Sequence, residues 1–187
     1  MTKILGISGS LRRDSHNTNL LRAAAEAAGP DVELELYDGL KEIPPYDEDD
    51  DVLPRPASVA RLTAEIEAAD AVLLATPEYN SSIPGQLKNA IDWVSRPIAT
   101  NVLRNKPVAV VGASTGAFGA VWAQAELRKV LAALGARVLD VEVAVPHAPT
   151  RFEAGRLNDD EIRLRLLETV EGLAAEVHVR ERLEAVA

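Results

Sequence analysis

Apolar and polar positions along this chain switch repeatedly between a strand rhythm and a helix rhythm. KILGIS, Lys3 to Ser8, is a short apolar run of the kind that forms a strand covered on both faces. Asn17 to Ala28 then carries Leu20, Leu21, Ala24, Ala25 and Ala28 at helical spacing and stops at Gly29-Pro30. VELELY, Val32 to Tyr37, reads as a second strand. Ala57 to Ala69 reads as a helix with Val59, Leu62, Ile66 and Ala69 on one side. AVLLAT, Ala71 to Thr76, is a third strand. Pro84 to Ser95 is a helix with proline at its start, where a missing N–H costs least. PVAVVGAS, Pro107 to Ser114, is a fourth strand, and Gly119 to Leu134 is a helix stopped by Gly135. Arg137 to Val145 is a fifth strand. Asn158 to Arg182 is the last helix, with Asn158 as its expected cap and acids in its first turn.

Strand and helix thus alternate five times. The first, third and fourth strands are continuous apolar runs, whereas the second and fifth alternate, as edge strands do. This predicts an α/β fold with a doubly wound, five-stranded parallel sheet in order 2-1-3-4-5 and helices on both faces. No repeat or linker divides the 187 residues, so 1–187 reads as one domain. Asp38 to Pro56, containing IPPYDEDDD, is too long for an ordinary connection. Its acids, Asp47 to Asp51, are expected to form a solvated loop, because blocks of like charge stay hydrated; calcium is the alternative, but the spacing lacks the glycine and distal glutamate of an EF-hand.

Composition narrows the chemistry. The absence of cysteine excludes disulfides, thiolate catalysis and cysteine-held metals. His16, His147 and His178 show no metal-ligand spacing, and no metal site is expected. A net charge of −9 argues against nucleic acid or an anionic membrane as partner. The start lacks the apolar stretch of a signal peptide, and no run approaches a membrane span, so a cytoplasmic protein is expected.

Ligands of open parallel sheets bind beyond the carboxyl ends of the strands, where strand order reverses. Three loops meet there in this order of strands. The first is GISGSLRRDSHNTN, Gly6 to Asn19, between a strand end and a helix start. Its free amides and the helix dipole favour an anion. Ser8, Ser10, Ser15, Thr18, Asn17 and Arg12 offer further donors, although Ser15 or Asn17 serving only as a helix cap is the plainer alternative. The loop lacks the Gly-Lys-Ser/Thr of a Walker loop and the third glycine of a dinucleotide loop, which points to a single terminal phosphate. The second loop is TPEYNSSIPG, Thr76 to Gly85, stiffened by Pro77 and Pro84. It is suited to reading the edge of a flat heterocycle, with Tyr79 either part of that surface or a cover on the sheet end. The third is GASTGAFG, Gly112 to Gly119.

GSLRRDSHN, TPEYNSSIPGQLKNAIDWVSR and STGAFG together resemble the NADPH-dependent FMN reductase family, over Ile4 to about Val143. That family includes quinone and chromate reductases and azoreductases. The resemblance implies a flavodoxin-like fold with non-covalent FMN, and NADPH or NADH as co-substrate. It implies phosphate contacts from Ser10, Arg12, Ser15, Asn17 and Thr18. It sets the flavin ring against Pro77, Glu78, Tyr79 and Asn80, with Ser114, Thr115 and Gly116 on the other side. It also implies a homodimer or homotetramer, a structural or interface role for Asp92 and Trp93, and electron delivery to a quinone, azo compound, metal oxyanion or free flavin. No side chain is expected to act as a catalytic acid or base, since the flavin carries the chemistry. The chain departs from the family pattern after Gly119: Ala120 and Trp122 stand where many relatives have a second glycine and an arginine.

Three other readings meet the same residues. A flavodoxin-type electron carrier would bind FMN but serve protein partners. A serine hydrolase would use Ser114 in G-x-S-x-G with Asp140 and His147 following in hydrolase order. A phospho-acceptor receiver domain needs acids where Ser8-Gly9-Ser10 and Thr76-Pro77 stand, and is set aside.

Overall fold

The computed structural model describes residues 1–184, with side chains described as far as Val179. Residues 185–187, which complete the single domain expected from the sequence, lie outside the described part. The elements run β1 (Thr2–Ser8), α1 (His16–Ala27), β2 (Val32–Tyr37), α2 (Ala57–Ala68), β3 (Ala71–Ala75), α3 (Gly85–Val94), β4 (Pro107–Ala113), α4 (Val121–Ala133), β5 (Arg137–Val138), β6 (Val143–Val145), β7 (Phe152–Glu153), β8 (Arg156–Leu157) and α5 (Asp160–Glu184).

The sheet is parallel in the order β2-β1-β3-β4-β5, with β6 also paired to β4. The expected strand order therefore holds. Alternate strand positions divide the core into two. Leu5, Ile7, Val72, Leu74, Val108 and Val110 pack under α2, α3 and α4. Ile4, Ala71, Leu73, Ala75, Ala109 and Val111 pack under α1 and α5. Alanine is frequent on that second face, which lets Leu20, Leu21, Ala23 and Ala24 of α1 lie close to the sheet.

Two expectations need correction and one element is new. The fifth strand is not continuous. Between the pairs Val108–Val138 and Val111–Val143, two residues of β4 face four, Leu139 to Glu142. The surplus cannot enter the ladder and loops out, as in an extended bulge. The cap of α5 is Asp159, whose Oδ1 accepts the Ile162 N–H at 3.1 Å, and not Asn158. The short antiparallel pair β7–β8 has no signature in the sequence, because two-residue strands carry no periodicity.

The segment after β2 is half anchored. Asp47, Glu48, Asp49 and Asp50 are exposed, as their charge predicts, but Leu40 and Ile43 are buried. Helix α3 holds this main chain. Gln86 Nε2 donates to the carbonyls of Leu40 and Ile43, and Asn89 Nδ2 and Trp93 Nε1 both donate to the Pro44 carbonyl. Trp93 is fully buried and meets Tyr46 edge to face, so its role in the fold is structural. Asp92 pairs with Lys88 on the same helix at 2.7 Å.

Candidate functional site

The first loop is fixed before any ligand is considered. The Gly9 N–H donates to the Ala75 carbonyl at 2.8 Å, continuing the β1–β3 pairing by one residue. A Cβ at Gly9 would stand 2.8 Å from Leu87 Cδ2 and 3.3 Å from Pro77 Cδ, so glycine lets the first loop lie close against α3 and the second loop without displacing either. Ser15 is the N-cap of α1, its Oγ accepting the Thr18 N–H at 3.2 Å. The amides of His16 and Asn17 then point out of the helix start, where the dipole favours an anion.

Asn17 is 3 % exposed. Its Nδ2 donates to the Ala113 carbonyl and its Oδ1 accepts the Ala113 N–H, each at 2.9 Å. The side chain thus staples the first loop to the end of β4, while its second Nδ2 hydrogen and its backbone amide remain for a ligand. Thr18 Oγ1 donates to Ser8 Oγ at 2.9 Å.

The second loop is a miniature hairpin. Tyr79 and Ser82 exchange both backbone hydrogen bonds at 3.1 Å, and Asn80 and Ser81 between them have φ of 53° and 59°. Positive φ at both central residues is the type I′ geometry, which asparagine tolerates better than most residues. The turn spends the Tyr79 N–H on the Ser82 carbonyl. Two carboxylates clasp this hairpin to α4. Glu78 Oε2 accepts the N–H groups of Trp122 and Ala123 at 3.0 and 3.1 Å. Glu126 Oε2 accepts from Ser82 Oγ at 2.6 Å.

In the third loop, Ser114 Oγ accepts the Gly116 N–H at 3.1 Å, and the Gly116 carbonyl accepts from the His147 N–H at 3.0 Å. Among the described residues no side-chain hydrogen bond joins Ser114, His147 and Asp140, so the hydrolase arrangement is not formed. Gly119 and Ala120 both take left-handed backbone, with φ of 60° and 64°.

The three loops enclose a cavity of about 100 Å³ at the carboxyl end of β1, β3 and β4. Of the residues expected there, Ser10, Arg12, Ser15, Asn17, Pro77, Glu78, Tyr79, Ser114 and Thr115 line it. Thr18 faces a neighbouring cavity instead, while Asn80 and Gly116 stand in exposed turns next to the lining residues. Tyr79 is 49 % exposed, which places it at the rim and not as a cover on the sheet end.

One lining residue was missed. His16 follows the cap residue, its ring 5.4 Å from that of Phe152 and its Nδ1 buried without a partner. Burial, and secondarily the Arg12 charge, hold its pKa below the ordinary histidine value. A lone histidine in a loop carries no spacing signal, so only the fold reveals it. The same is true of the Asn17–Ala113 staple, which links positions 96 residues apart. Among the described residues no group of three or more acids or histidines is arranged to hold a metal. No helix among them is long and apolar enough to cross a membrane.

The chain is similar to known proteins along most of its length. The sequence pattern of NADPH-dependent FMN reductases matches residues 2–150. An NAD(P)H-dependent FMN reductase of Pseudomonas aeruginosa is 45 % identical, over 91 % of this chain and 92 % of that protein. A 2-hydroxy-1,4-benzoquinone reductase of Burkholderia sp. is 39 % identical, over 95 % and 97 %. The solved structure of FerB, a flavoenzyme NAD(P)H:(acceptor) oxidoreductase of Paracoccus denitrificans, superposes with a TM-score of 0.85 at 35 % identity, covering 95 % of this chain and 98 % of that one.

Proposed function

The chain belongs to the NADPH-dependent FMN reductase family, and we propose that it passes two electrons from a nicotinamide nucleotide, through FMN held in the cavity of the three loops, to a quinone-type acceptor. The carrying observation is that cavity: Arg12, Ser10 and the start of α1 on one side, Pro77 to Tyr79 and Ser114-Thr115 on the others. The donor set fits a flavin mononucleotide. A helix start, a guanidinium and a serine hydroxyl suit a terminal phosphate, and a rigid hairpin with an exposed tyrosine suits a planar ring. The bound flavin would supply the two-electron chemistry.

The residues have separate tasks in this reading. Arg12, Ser10 and the amides of His16 and Asn17 hold the phosphate, with Ser15 setting the helix start. Asn17 and Gly9 fix the distance between the phosphate loop and its neighbours. Glu78 and Glu126 hold the Tyr79–Ser82 hairpin still. Tyr79, at the rim, meets whatever stacks on the ring. Thr115 and Ser114 close the far wall, while Thr18, Asn80 and Gly116 support the lining. The chain acts as a homo-oligomer: Phe118 and Trp122, 61 % and 48 % exposed and in ring contact at 4.8 Å, form an apolar patch beside the site. The acceptor is quinone-like because the named relatives include a benzoquinone reductase.

The test is an anaerobic titration. Purified protein is expected to show a flavin spectrum, to bleach on addition of NADPH or NADH, and to recover on addition of a benzoquinone. Bleaching that a quinone cannot reverse would remove the acceptor assignment. A protein that neither contains nor binds FMN would remove the site.

A further inference from the structure

A second cavity, of about 410 Å³, lies on the β2 side of the first loop. Ser10 and Arg12 line both cavities, but Arg13, Arg22 and Lys41 line only this one. These three cations come from separate places: the first loop, helix α1 and the turn after β2. Among the described residues none of them forms an ion pair with a carboxylate. In a chain of net charge −9 carboxylates are the commoner surface charge, so unpaired cations around one hollow invert the local field. Arg22 is steadied by Asn19 Oδ1, which accepts from its Nη1 at 2.8 Å.

The larger groove between β2 and α2 makes the contrast. It contains Lys3 and Arg61 together with Glu33, Glu35 and Glu65, a mixture that repels an anion as much as it attracts one. The neutral donors of the second cavity favour an anion as its cations do. Ser8 Oγ accepts from Thr18 Oγ1 at 2.9 Å and so keeps its own hydrogen to give. Tyr37, also in the lining, is 6 % exposed, and its buried hydroxyl has no partner among the described residues. A buried donor left over in this way calls for a ligand oxygen or a water. Asp38 is the one acid in the lining, and Arg61 binds one of its oxygens at 2.6 Å. An ionised carboxylate accepts about four hydrogen bonds, so Asp38 has capacity left for a ligand hydroxyl. Leu11 and Leu36 add apolar wall. Size separates an organic ester from a bare anion. Ligand pockets occupy about 300–1,000 Å³, whereas a bare phosphate displaces only a few waters of about 30 Å³ each.

We propose that this cavity is a binding site for a small phosphate monoester with a hydroxylated body, of the sugar-phosphate class, separate from the flavin. Arg13, Arg22 and Lys41 meet the phosphate, a dianion with three strong acceptor oxygens. The Ser8 hydroxyl adds a neutral donor. Asp38 accepts from hydroxyls of the body, and the leucines lie against its carbon frame. A body without a phosphate would leave the cations without a partner, and a phosphate without a body would leave most of the cavity unfilled. The site needs no passage between the two cavities and does not rest on the flavin reading, because its three cations lie outside the flavin cavity.

The test is calorimetric titration of the full chain, loaded with FMN, with ribose 5-phosphate, inorganic phosphate and ribose. Ribose 5-phosphate is expected to bind about tenfold more tightly than inorganic phosphate, the scale of one charge-assisted contact to Asp38. Ribose alone should give no measurable heat. Arg13→Ala and Lys41→Ala should each weaken the ester roughly tenfold, and Lys41→Glu should abolish its binding. Both positions are exposed, so the variants should keep the melting temperature and flavin content of wild type, read on the same samples. Absence of ester binding overturns the proposal, as does binding indifferent to all three variants. Inorganic phosphate bound as tightly as the ester also overturns it and marks the cavity as a free-phosphate site. Ester that expels FMN and ignores the variants has entered the first cavity, which overturns it as well. Flavin-stripped protein should still show the Arg13- and Lys41-dependent site. Protein that never takes up FMN therefore removes the flavin reading alone, while this proposal stands or falls on the variants.

Discussion

The carboxylate of Glu78 accepts the backbone N–H of Trp122 at 3.0 Å, and so caps a helix that begins in another part of the chain. The residue at the natural cap position, Ala120, has no side-chain hydrogen bond to give. A carboxylate at a helix start both satisfies amides and meets the favourable end of the dipole. Glu78 therefore couples the second loop to α4.

Glu78→Ala is expected to destabilise the protein by about 1–2 kcal/mol, the usual range for a lost cap. For a chain of this size that corresponds to a fall in Tm of a few degrees, roughly 2–8 °C. Glu78→Gln keeps an acceptor oxygen and should lose less. Thermal melts of the flavin-free protein check this; an alanine variant as stable as wild type would show that α4 needs no cap from Glu78.

Sequence patterning revealed the sheet order and nearly every helix because those rest on short-range periodicity. Leu20, Leu21 and Ala24 announce their face whatever lies opposite. The three loops that meet at the reversal point of a 2-1-3-4-5 sheet were also legible, since the strand order places them there. What stayed hidden was which polar groups also hold the loops together. Asn17 reads as a ligand donor, and the fold adds its two bonds to the main chain of Ala113. Glu78 reads as a residue beside the ring, and the fold adds the α4 amides that one of its oxygens accepts. Such pairings depend on the path of a distant segment, and no local spacing encodes them.

Gly119 and Ala120 give a paired prediction. Both have positive φ, but a Cβ at Gly119 would lie 2.6 Å from the Val145 nitrogen and 2.8 Å from the Ala144 carbonyl carbon. That is backbone, which cannot move aside as a side-chain tip would. Gly119→Ala should therefore cost more than about 2 kcal/mol, strain and overpacking acting together. Ala120→Gly relieves about 1–2 kcal/mol of left-handed strain. It gives up roughly 0.8 kcal/mol of buried methyl and about 0.4–1 kcal/mol through the freer unfolded chain. The two sides nearly cancel, so its stability should stay within about 1 kcal/mol of wild type. Urea unfolding of both variants measures the contrast. Equal losses at the two positions would remove the steric argument.

Arg12→Ala should separate the phosphate from the ring. Charge-assisted hydrogen bonds contribute about 1.5–3 kcal/mol, so FMN affinity should fall roughly tenfold to a hundredfold. Riboflavin, which has no phosphate, should bind the variant about as well as it binds wild type. Fluorescence quenching on titration of each flavin into stripped protein reads both values. Equal losses for the two flavins would mean that Arg12 touches something other than phosphate.

His16 predicts a pH dependence whose sign depends on the ligand. In the free protein, burial and then Arg12 hold its pKa below the ordinary value of 6.5. A depressed histidine pKa means that the unfolded chain binds more protons than the folded one between the two pKa values. Stability should therefore decline as pH falls through 6.5 and level off below the folded pKa. His16→Phe, which keeps an aromatic ring against Phe152, should show less of this decline. A phosphate beside the imidazole acts in the opposite direction, because it favours the charged ring. FMN should then bind wild type relatively more tightly at pH 5.5 than at pH 7.5 when each is compared with His16→Phe, the variant cancelling the phosphate's own titration near pH 6. Riboflavin should show no such difference. Parallel pH profiles for FMN in the two proteins would place the phosphate out of reach of His16, and leave the histidine as a packing partner of Phe152.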